Sequence, residues 1–291
     1  MANDAPYSRI IAGTMTWGSW GKQLSKAEMN LLMHHCLELG ISTFDHADIY
    51  GNYTMEAEFG NAFKDSGISR EKIQLISKCG IQKISENRST ELKHYNYSGS
   101  HIIWSVEHSL KNLKTDFLDL LLLHRPSPLM SPQEIGEAIF KLKKEGKIKR
   151  VGVSNFTPSQ IALLETIFPI TTNQVEFSLT ENTVMYDGSF DDCITQERLA
   201  MAWSPLGGFF KEDNAQLRRI NKVVKPLLKK YDVTADQLLL AWILKHPVHI
   251  YPVVGSTAKE RLKKSVEALE IELELEDWFR LLHASQGHEV P

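Results

Sequence analysis

The chain has 291 residues, a formal net charge of -3, 42% hydrophobic and 24% charged residues. That balance supports a sizeable core and argues against a polyanionic partner, since no dense Lys/Arg stripe with interleaved aromatics is present and the run Lys141–Arg150 reads as the solvated end of a helix followed by a turn. Three widely spaced cysteines without a CxxC pair, no signal-peptide character at the N-terminus and no apolar run near the roughly 18 residues of a membrane span lead to the expectation of a cytoplasmic protein in a reducing compartment.

In chain order, Ile10–Ala12 is a first short apolar run. Ser25 to Leu39 has apolar residues at helical spacing, with Ser25 and Glu28 placed for a capping box and Gly40 for a C-terminal stop. Ile41–Phe44 follows, then a short helix over Glu56–Phe63 and a third apolar run at Ile73–Ile76. The alternation continues with a helix over Ile102–Leu113, a run at Leu118–Leu123, a helix over Pro132–Lys144, a run at Val151–Val153, a helix over Pro158–Ile167 and a run at Thr172–Val175. Asp191–Arg198 has the weakest helical periodicity. After it come Leu199–Ala202, helices over Leu217–Tyr231 and Thr234–Leu244, the eighth run at Ile250–Val254, and two more helices over Lys259–Leu269 and Glu274–Leu282.

Short, nearly continuous apolar runs fit strands of a parallel sheet buried on both faces. Eight of them alternating with helices predict a (β/α)8 TIM barrel with extra C-terminal helices, formed by residues 1–291 as one domain. A doubly wound open sheet is the competing architecture. It usually carries a glycine-rich phosphate turn after its first strand, and no G-x-G-x-x-G occurs here.

Polar and aromatic residues recur where the apolar runs end. Asp45 and Tyr50 follow the second, Lys78 ends the third, His124 the fourth, and Ser154 and Asn155 follow the fifth. Asn173 and Gln174 lie at the sixth, Trp203 and Ser204 at the seventh, and Gly255, Ser256 and Thr257 at the eighth. In a parallel barrel all strand C-termini share one face, where barrel active sites sit. A phenol titrates near 10. A neighbouring ammonium lowers that value, and a carboxylate compensates the buried ammonium. Asp45, Tyr50, Lys78 and His124 therefore read as a set that protonates an oxyanion as hydride reaches its carbon.

Blander readings stand beside this one. Asp45 and Lys78 also fit a structural ion pair, and Thr257 with Glu260 also fits a capping box opening the helix to Leu269. His46-Ala-Asp48 offers two metal-ligand types without a set to complete them. Trp17, Trp20 and Tyr53 fit either core or a substrate-pocket wall, whereas Trp104 and Trp242, mid-helix, fit core. A nucleotide-holding sensor and a Schiff-base aldolase using Lys78 are the rival functions.

The segment Gly40–Gly51 with Glu56 and Gly60, the pair Ser77-Lys78, the stretch LLLHRP ending on His124-Arg125-Pro126, and the blocks around Ser154-Asn155, Asn173-Gln174, Trp203–Gly207 and Pro252–Thr257 with Arg261 together resemble the aldo-keto reductase family. The segments DHADIYG, SKCGI and LLLHRPSPLM are most similar to its bacterial YdhF-type oxidoreductases. The resemblance implies an NADP(H)-dependent reduction of an aldehyde or ketone. It implies Tyr50 as general acid, Lys78 and Asp45 as its tuning pair, and His124 as the assisting residue. Ser154, Asn155 and Gln174 are implied to hold the nicotinamide carboxamide and Trp203 to stack on its ring. Ser204, Leu206 and Gly207 are implied at the pyrophosphate, and Ser256, Thr257 and Arg261 at the adenosine 2′-phosphate, with Gly255 also among the cofactor-binding residues. A small-molecule carbonyl substrate is expected, with no nucleic acid, membrane or metal, in a monomer or weak dimer. Two positions depart from the family pattern: His46 stands where Thr is usual, and Lys264-Ser265 where Glu-Asn is common. The loop over residues 81–100 is read either as shaping the pocket or as partly disordered, and 209–216 as a segment suited to close over the cofactor on Gly207-Gly208.

Overall fold

A computed structural model describes residues 7–290. Its strands and helices alternate: β1 (Ile11–Gly13), α1 (Lys26–Glu38), β2 (Thr43–Asp45), α2 (Met55–Lys64), β3 (Gln74–Cys79), a small pair β4 (Ile81–Gln82) and β5 (His94–Tyr95), α3 (Gly99–Leu113), β6 (Leu118–Leu123), α4 (Pro132–Lys144), β7 (Ile148–Ser154), α5 (Pro158–Glu165), β8 (Thr172–Glu176), α6 (Ser189–Thr195), β9 (Leu199–Trp203), α7 (Ala215–Tyr231), α8 (Ala235–Leu244), β10 (Tyr251–Val254), α9 (Lys259–Glu267) and α10 (Leu275–Gln286). Eight strands close into a parallel barrel in the order β1-β10-β9-β8-β7-β6-β3-β2, while β4 and β5 form a separate antiparallel hairpin.

The eight expected runs are the eight barrel strands, most with boundaries moved by one to three residues. The ends move because polar residues pointing into the barrel continue the ladder after the apolar signal stops. Asp45, Lys78, Ser154 and Trp203 lie within β2, β3, β7 and β9 rather than beyond them. Ile148–Arg150, read as part of a solvated run, opens β7.

Strand alternation sorts the side chains into two cores. Ile11, Ile76, Leu120, Leu122, Met201, Tyr251 and Val253 fill the barrel interior with Tyr7. Phe44, Leu75, Leu121, Leu123, Val153, Val175, Ala200 and Ala202 point outward under the helices. Leu-Leu-Leu-Leu in β6 is thus divided, alternate leucines serving opposite faces. Trp242 and Trp278 stack at 5.0 Å, each indole N–H donating to the other's backbone carbonyl at 3.1 and 2.9 Å, which fastens α10 to α8. Ser25 and Glu28 make the expected capping box, and Gly40 takes φ +75° just past α1.

Two expectations about helices are corrected. Trp104 is 42% exposed, not core. The buried face of α3 runs through Ile102, Ser105, Val106, Ser109, Leu110 and Leu113, so Trp104 falls on the outer face, stacked between His101 and His108. Thr257 does not cap α9; its N-cap is Ala258, whose N–H donates to Ser256 Oγ at 3.2 Å.

Candidate active site

The interior parity that carries Ile76 and Leu122 carries Lys78 and His124 two residues further along, one layer higher in the barrel. Asp45, Ser154 and Trp203 follow outward-facing Phe44, Val153 and Ala202, and Gln174 precedes outward-facing Val175, so all four share this parity. Asn173 does not. Its amide donates to the Phe156 carbonyl at 2.9 Å beneath the helical layer, so the sheet separates it from its neighbour Gln174.

Lys78 is buried and makes three bonds. Its Nζ lies 2.6 Å from Asp45 Oδ2, 2.8 Å from the His46 carbonyl and 3.2 Å from Tyr50 Oη. Burial alone lowers an ammonium's pKa, but the Asp45 carboxylate first, and then the Tyr50 oxygen, outweigh it and leave Lys78 raised. Burial raises the Tyr50 phenol more than Lys78 lowers it, so the net direction is upward from 10.0. This corrects the sequence expectation of a net lowering: desolvation disfavours phenolate more than the ammonium favours it. The His124 ring lies 6.3 Å from that of Tyr50, edge to face. Burial, then the charges of Lys78, Arg125 and Lys93, hold His124 well below 6.5, so it is a neutral imidazole.

A hydrogen-bonded chain joins this cluster to the far side of the barrel. Gln174 Nε2 donates to Asp45 Oδ1 at 3.0 Å. The Gln174 carbonyl accepts from Ser154 Oγ at 2.9 Å, Ser154 Oγ accepts from Asn155 Nδ2 at 2.7 Å, and Asn155 Oδ1 accepts from Trp203 Nε1 at 2.9 Å. Asn155 and Ser204, at the ends of β7 and β9, have φ of +59° and +50°. Left-handed backbone at non-glycine residues costs of order 1–3 kcal/mol and clusters at functional rims.

The remaining predicted residues lie along the same rim. Leu206 and Gly207 are half-buried, and Ser204 and Gly255 are exposed. Gly207 has φ +53°, and a Cβ there would run into Thr180 Oγ1. The Gly255 carbonyl accepts from Thr16 Oγ1 at 2.7 Å. Ser256 and Thr257 are half-buried; Arg261 is exposed, and its guanidinium makes no ion pair or side-chain hydrogen bond among the described residues. Ser265 is buried and donates to the Arg261 carbonyl at 2.8 Å, so its hydroxyl faces its own helix.

Several residues with a place in the site were not singled out from sequence. Thr14 Oγ1 donates to the Asp45 carbonyl at 3.0 Å and lies 2.9 Å from His46 Nδ1, which makes Nδ1 the protonated nitrogen of His46. Burial first and Lys78 second push His46 down to about 3, so the ring is neutral. Arg125 follows His124 directly, and the strand-end logic that selected His124 also selects it. The loop after β3 folds as the β4–β5 hairpin onto the Tyr50–Tyr53 segment: Lys83 Nζ donates to Asn52 Oδ1 at 2.6 Å, and Lys83 N–H donates to Tyr53 Oη at 2.8 Å. Trp17 is core, packed against Phe44 and Phe59, whereas Trp20 is half-buried with its ring 6.1 Å from that of Tyr50. Residues 215 and 216 of the segment expected to close over the cofactor already belong to α7, capped by Asn214.

A buried ammonium flanked by a carboxylate and a phenol, with a neutral imidazole beside the phenol, is suited to protonating a carbonyl oxygen. The sequence profile of the aldo/keto reductase family matches residues 9–285. The chain is 42% identical to the uncharacterized oxidoreductase YcsN of Bacillus subtilis, covering 100% of this chain and 98% of that protein. It is 41% identical to the oxidoreductase YdhF of Escherichia coli K12 (98% and 96% covered) and 38% identical to a 6-dehydroglucose reductase of Agrobacterium fabrum (97% and 96%). Among solved structures, the thermostable aldo-keto reductase Tm1743, crystallised with the inhibitor epalrestat, superposes with a TM-score of 0.79 at 25% identity, over 95% of this chain and 94% of that one. Profile, full-length relatives and barrel together show that the chain is an oxidoreductase of the aldo/keto reductase family.

Proposed function

We propose that the protein is an NADP(H)-dependent carbonyl reductase in which Tyr50 protonates the oxygen of an aldehyde or ketone. The observation that carries this reading is Tyr50 Oη at 3.2 Å from a Lys78 ammonium that is itself 2.6 Å from Asp45. A general acid must hold its proton until the transition state, and the raised Tyr50 keeps the phenol neutral at ordinary pH. As negative charge grows on Tyr50, Lys78 stabilises it, and Asp45 keeps Lys78 charged. His124, neutral, orients the carbonyl oxygen toward Tyr50.

The residues suited to the cofactor are those at the ends of β7 to β10. Gln174 Oε1 has no protein donor among the described residues and would meet the carboxamide, with Ser154 and Asn155 beside it. Trp203 would stack on the ring, and Ser204, Leu206 and Gly207 would border the pyrophosphate. Gly255, Ser256 and Thr257 would lie along the 2′-phosphate, with Arg261 supplying planar N–H donors to it. When bound, the nicotinamide supplies the hydride. The name of the Agrobacterium relative, a reductase of an oxidised sugar, supports the reductive direction. The reading also places the protein in the cytoplasm, as a single-domain monomer or weak dimer acting on a small carbonyl compound; its three free, buried thiols suit a reducing compartment.

A Schiff-base role for Lys78 is disfavoured because such chemistry needs a free amine, and this one is held protonated. The test is to mix purified protein with NADPH and a panel of aldehydes and ketones while following the nicotinamide absorbance. Wild type should consume NADPH, and Tyr50→Phe should lose on the order of 10²- to 10⁴-fold in rate while still binding NADPH. Near-normal turnover in Tyr50→Phe would remove Tyr50 from its role.

A further inference from the structure

The mouth of the site carries cations that the protein itself does not neutralise. The chain as a whole is slightly acidic, at -3, so this is a local arrangement. Arg125 stands beside His124 at the end of β6 with its backbone clamped on both sides by Tyr97: the Tyr97 hydroxyl donates to its carbonyl at 2.6 Å, and the Arg125 N–H donates to Tyr97 Oη at 3.1 Å. Its guanidinium lies over the Trp203 ring, Cζ 5.3 Å from the centroid. No side-chain hydrogen bond or ion pair uses it among the described residues.

Stacking on an indole occupies the face of a guanidinium and leaves its N–H edge free. That edge is the part that binds carboxylate or phosphate with two parallel bonds. A second cation, Lys83, has its Nζ 4.9 Å from the Trp20 ring centroid, and that ring is 6.1 Å from the ring of Tyr50. Lys83 also has no carboxylate within ion-pair distance among the described residues. Two cations thus each rest on an aromatic ring in the surroundings of Tyr50, and the charge of Arg125 acts on the phenol. The carboxylate facing Arg125 is Glu176, which feels its charge yet lies beyond ion-pair reach and is opposed by Glu181.

We propose that Arg125, with Lys83 in support, selects a carbonyl substrate that bears an anionic oxyacid group, carboxylate or phosphate, a few bonds from the reacting carbon. The proposal rests on the reductase reading above and names its substrate class. Arg125 acts here as a specificity residue through direct contact with the substrate's anionic group.

The experiment compares matched substrates. 4-Carboxybenzaldehyde is set against its neutral methyl ester, and glyceraldehyde 3-phosphate against glyceraldehyde, each with NADPH, in wild type, Arg125→Met and Arg125→Lys. Wild type should favour the anionic member of at least one pair by about tenfold or more in kcat/KM, the range of one charge-assisted hydrogen bond. Which pair responds separates carboxylate from phosphate. Arg125→Met, which keeps a flexible apolar contact with Trp203, should lose at least about tenfold more on the anionic than on the neutral substrate, and Arg125→Lys should retain part of the preference. Raising salt to about 0.5 M should raise KM for the anionic substrate selectively in wild type, which needs no variant to fold.

Equal kcat/KM for both members of both pairs in wild type would overturn the proposal. So would a loss in Arg125→Met shared equally by charged and neutral substrates and matched by weaker NADPH binding, which would give Arg125 to the cofactor's phosphates. If no carbonyl compound consumes NADPH, the reductase reading fails by itself. Calorimetric titration with 4-(hydroxymethyl)benzoate then decides the anion seat: binding in wild type that is lost in Arg125→Met keeps it, and absence of binding in wild type removes it.

Discussion

Gln174 and Asp45, 129 positions apart in the chain, meet across the barrel: the Gln174 amide donates at 3.0 Å to the one oxygen of Asp45 that Lys78 does not hold. The carboxylate that compensates the buried ammonium is thereby fixed from both sides, and the fixing group belongs to the strand expected to meet the nicotinamide. Gln174→Leu removes that donor at nearly constant volume. A group orienting a buried charged partner is typically worth 10- to 100-fold, so kcat should fall by about tenfold or more. Measuring kcat beside the NADPH dissociation constant separates the two roles: a loss in affinity alone would confine Gln174 to the cofactor.

Lys78→Met should cost more stability than its own contacts suggest. It leaves Asp45 buried with one amide donor and no cation, and breaking a buried ion pair by removing one member typically costs about 3–5 kcal/mol. The double change Lys78→Met with Asp45→Asn removes both charges and should recover a large part of that loss. Denaturant midpoints of the three proteins check this. A double variant no more stable than Lys78→Met would mean that the Asp45 charge is satisfied by Gln174 and solvent alone.

The barrel and the polar cluster at its strand ends were legible in the sequence because parallel strands buried on both faces read as apolar runs, and polar residues interrupt those runs where the interior opens to the mouth. The same fact blurred the strand ends, since Asp45, Lys78 and Trp203 look like loop while still pairing in the ladder. Parity was the unused information: it separates Asn173 from Gln174 and would have shown that only the second faces the interior. Trp104 was misplaced for a related reason, because mid-helix position says nothing of which face a residue occupies until the spacing of Ile102, Val106 and Leu110 is followed. The Lys78 bond to the His46 carbonyl leaves no trace in residue type, since a backbone acceptor is the same at any side chain. The docking of the β4–β5 hairpin through Lys83, Asn52 and Tyr53 depends on contacts between segments 30 residues apart that carry no periodic signal.

Arg261→Ala should discriminate between the two nicotinamide cofactors. Arg261 is exposed and unpaired among the described residues, so removing it costs the fold little. The charge-assisted bonds it is suited to make exist only with a 2′-phosphate, and such bonds are worth about 1.5–3 kcal/mol. NADPH affinity, followed by quenching of tryptophan fluorescence, should weaken by about 10- to 100-fold while NADH affinity changes little. An equal loss for both would take the 2′-phosphate away from Arg261.

Asp48 gives the fold a dependence on pH that lies outside the proton-donating set. It is buried behind the barrel, Ser105 Oγ donates to its Oδ2 at 3.1 Å, and its Oδ1 has no partner. Burial, and then the neighbouring Glu56 carboxylate, raise it from 3.8 to about 8. A raised carboxyl means that the folded protein holds this proton more tightly than the unfolded chain does, across the interval from about pH 4 to about pH 8. The stability contributed by the neutral form is complete below about pH 4 and is lost as pH rises through about 8. Asp48→Asn replaces the titrating group by an uncharged one of the same shape, keeps an oxygen for Ser105, and offers N–H donors toward Glu56. The urea midpoint of wild type should therefore fall between about pH 5 and pH 8 and level off above that, while that of Asp48→Asn should stay flatter and exceed wild type at the alkaline end. Parallel declines in both proteins would assign the slope to another buried acid, with Glu56, itself raised by burial, the next to replace.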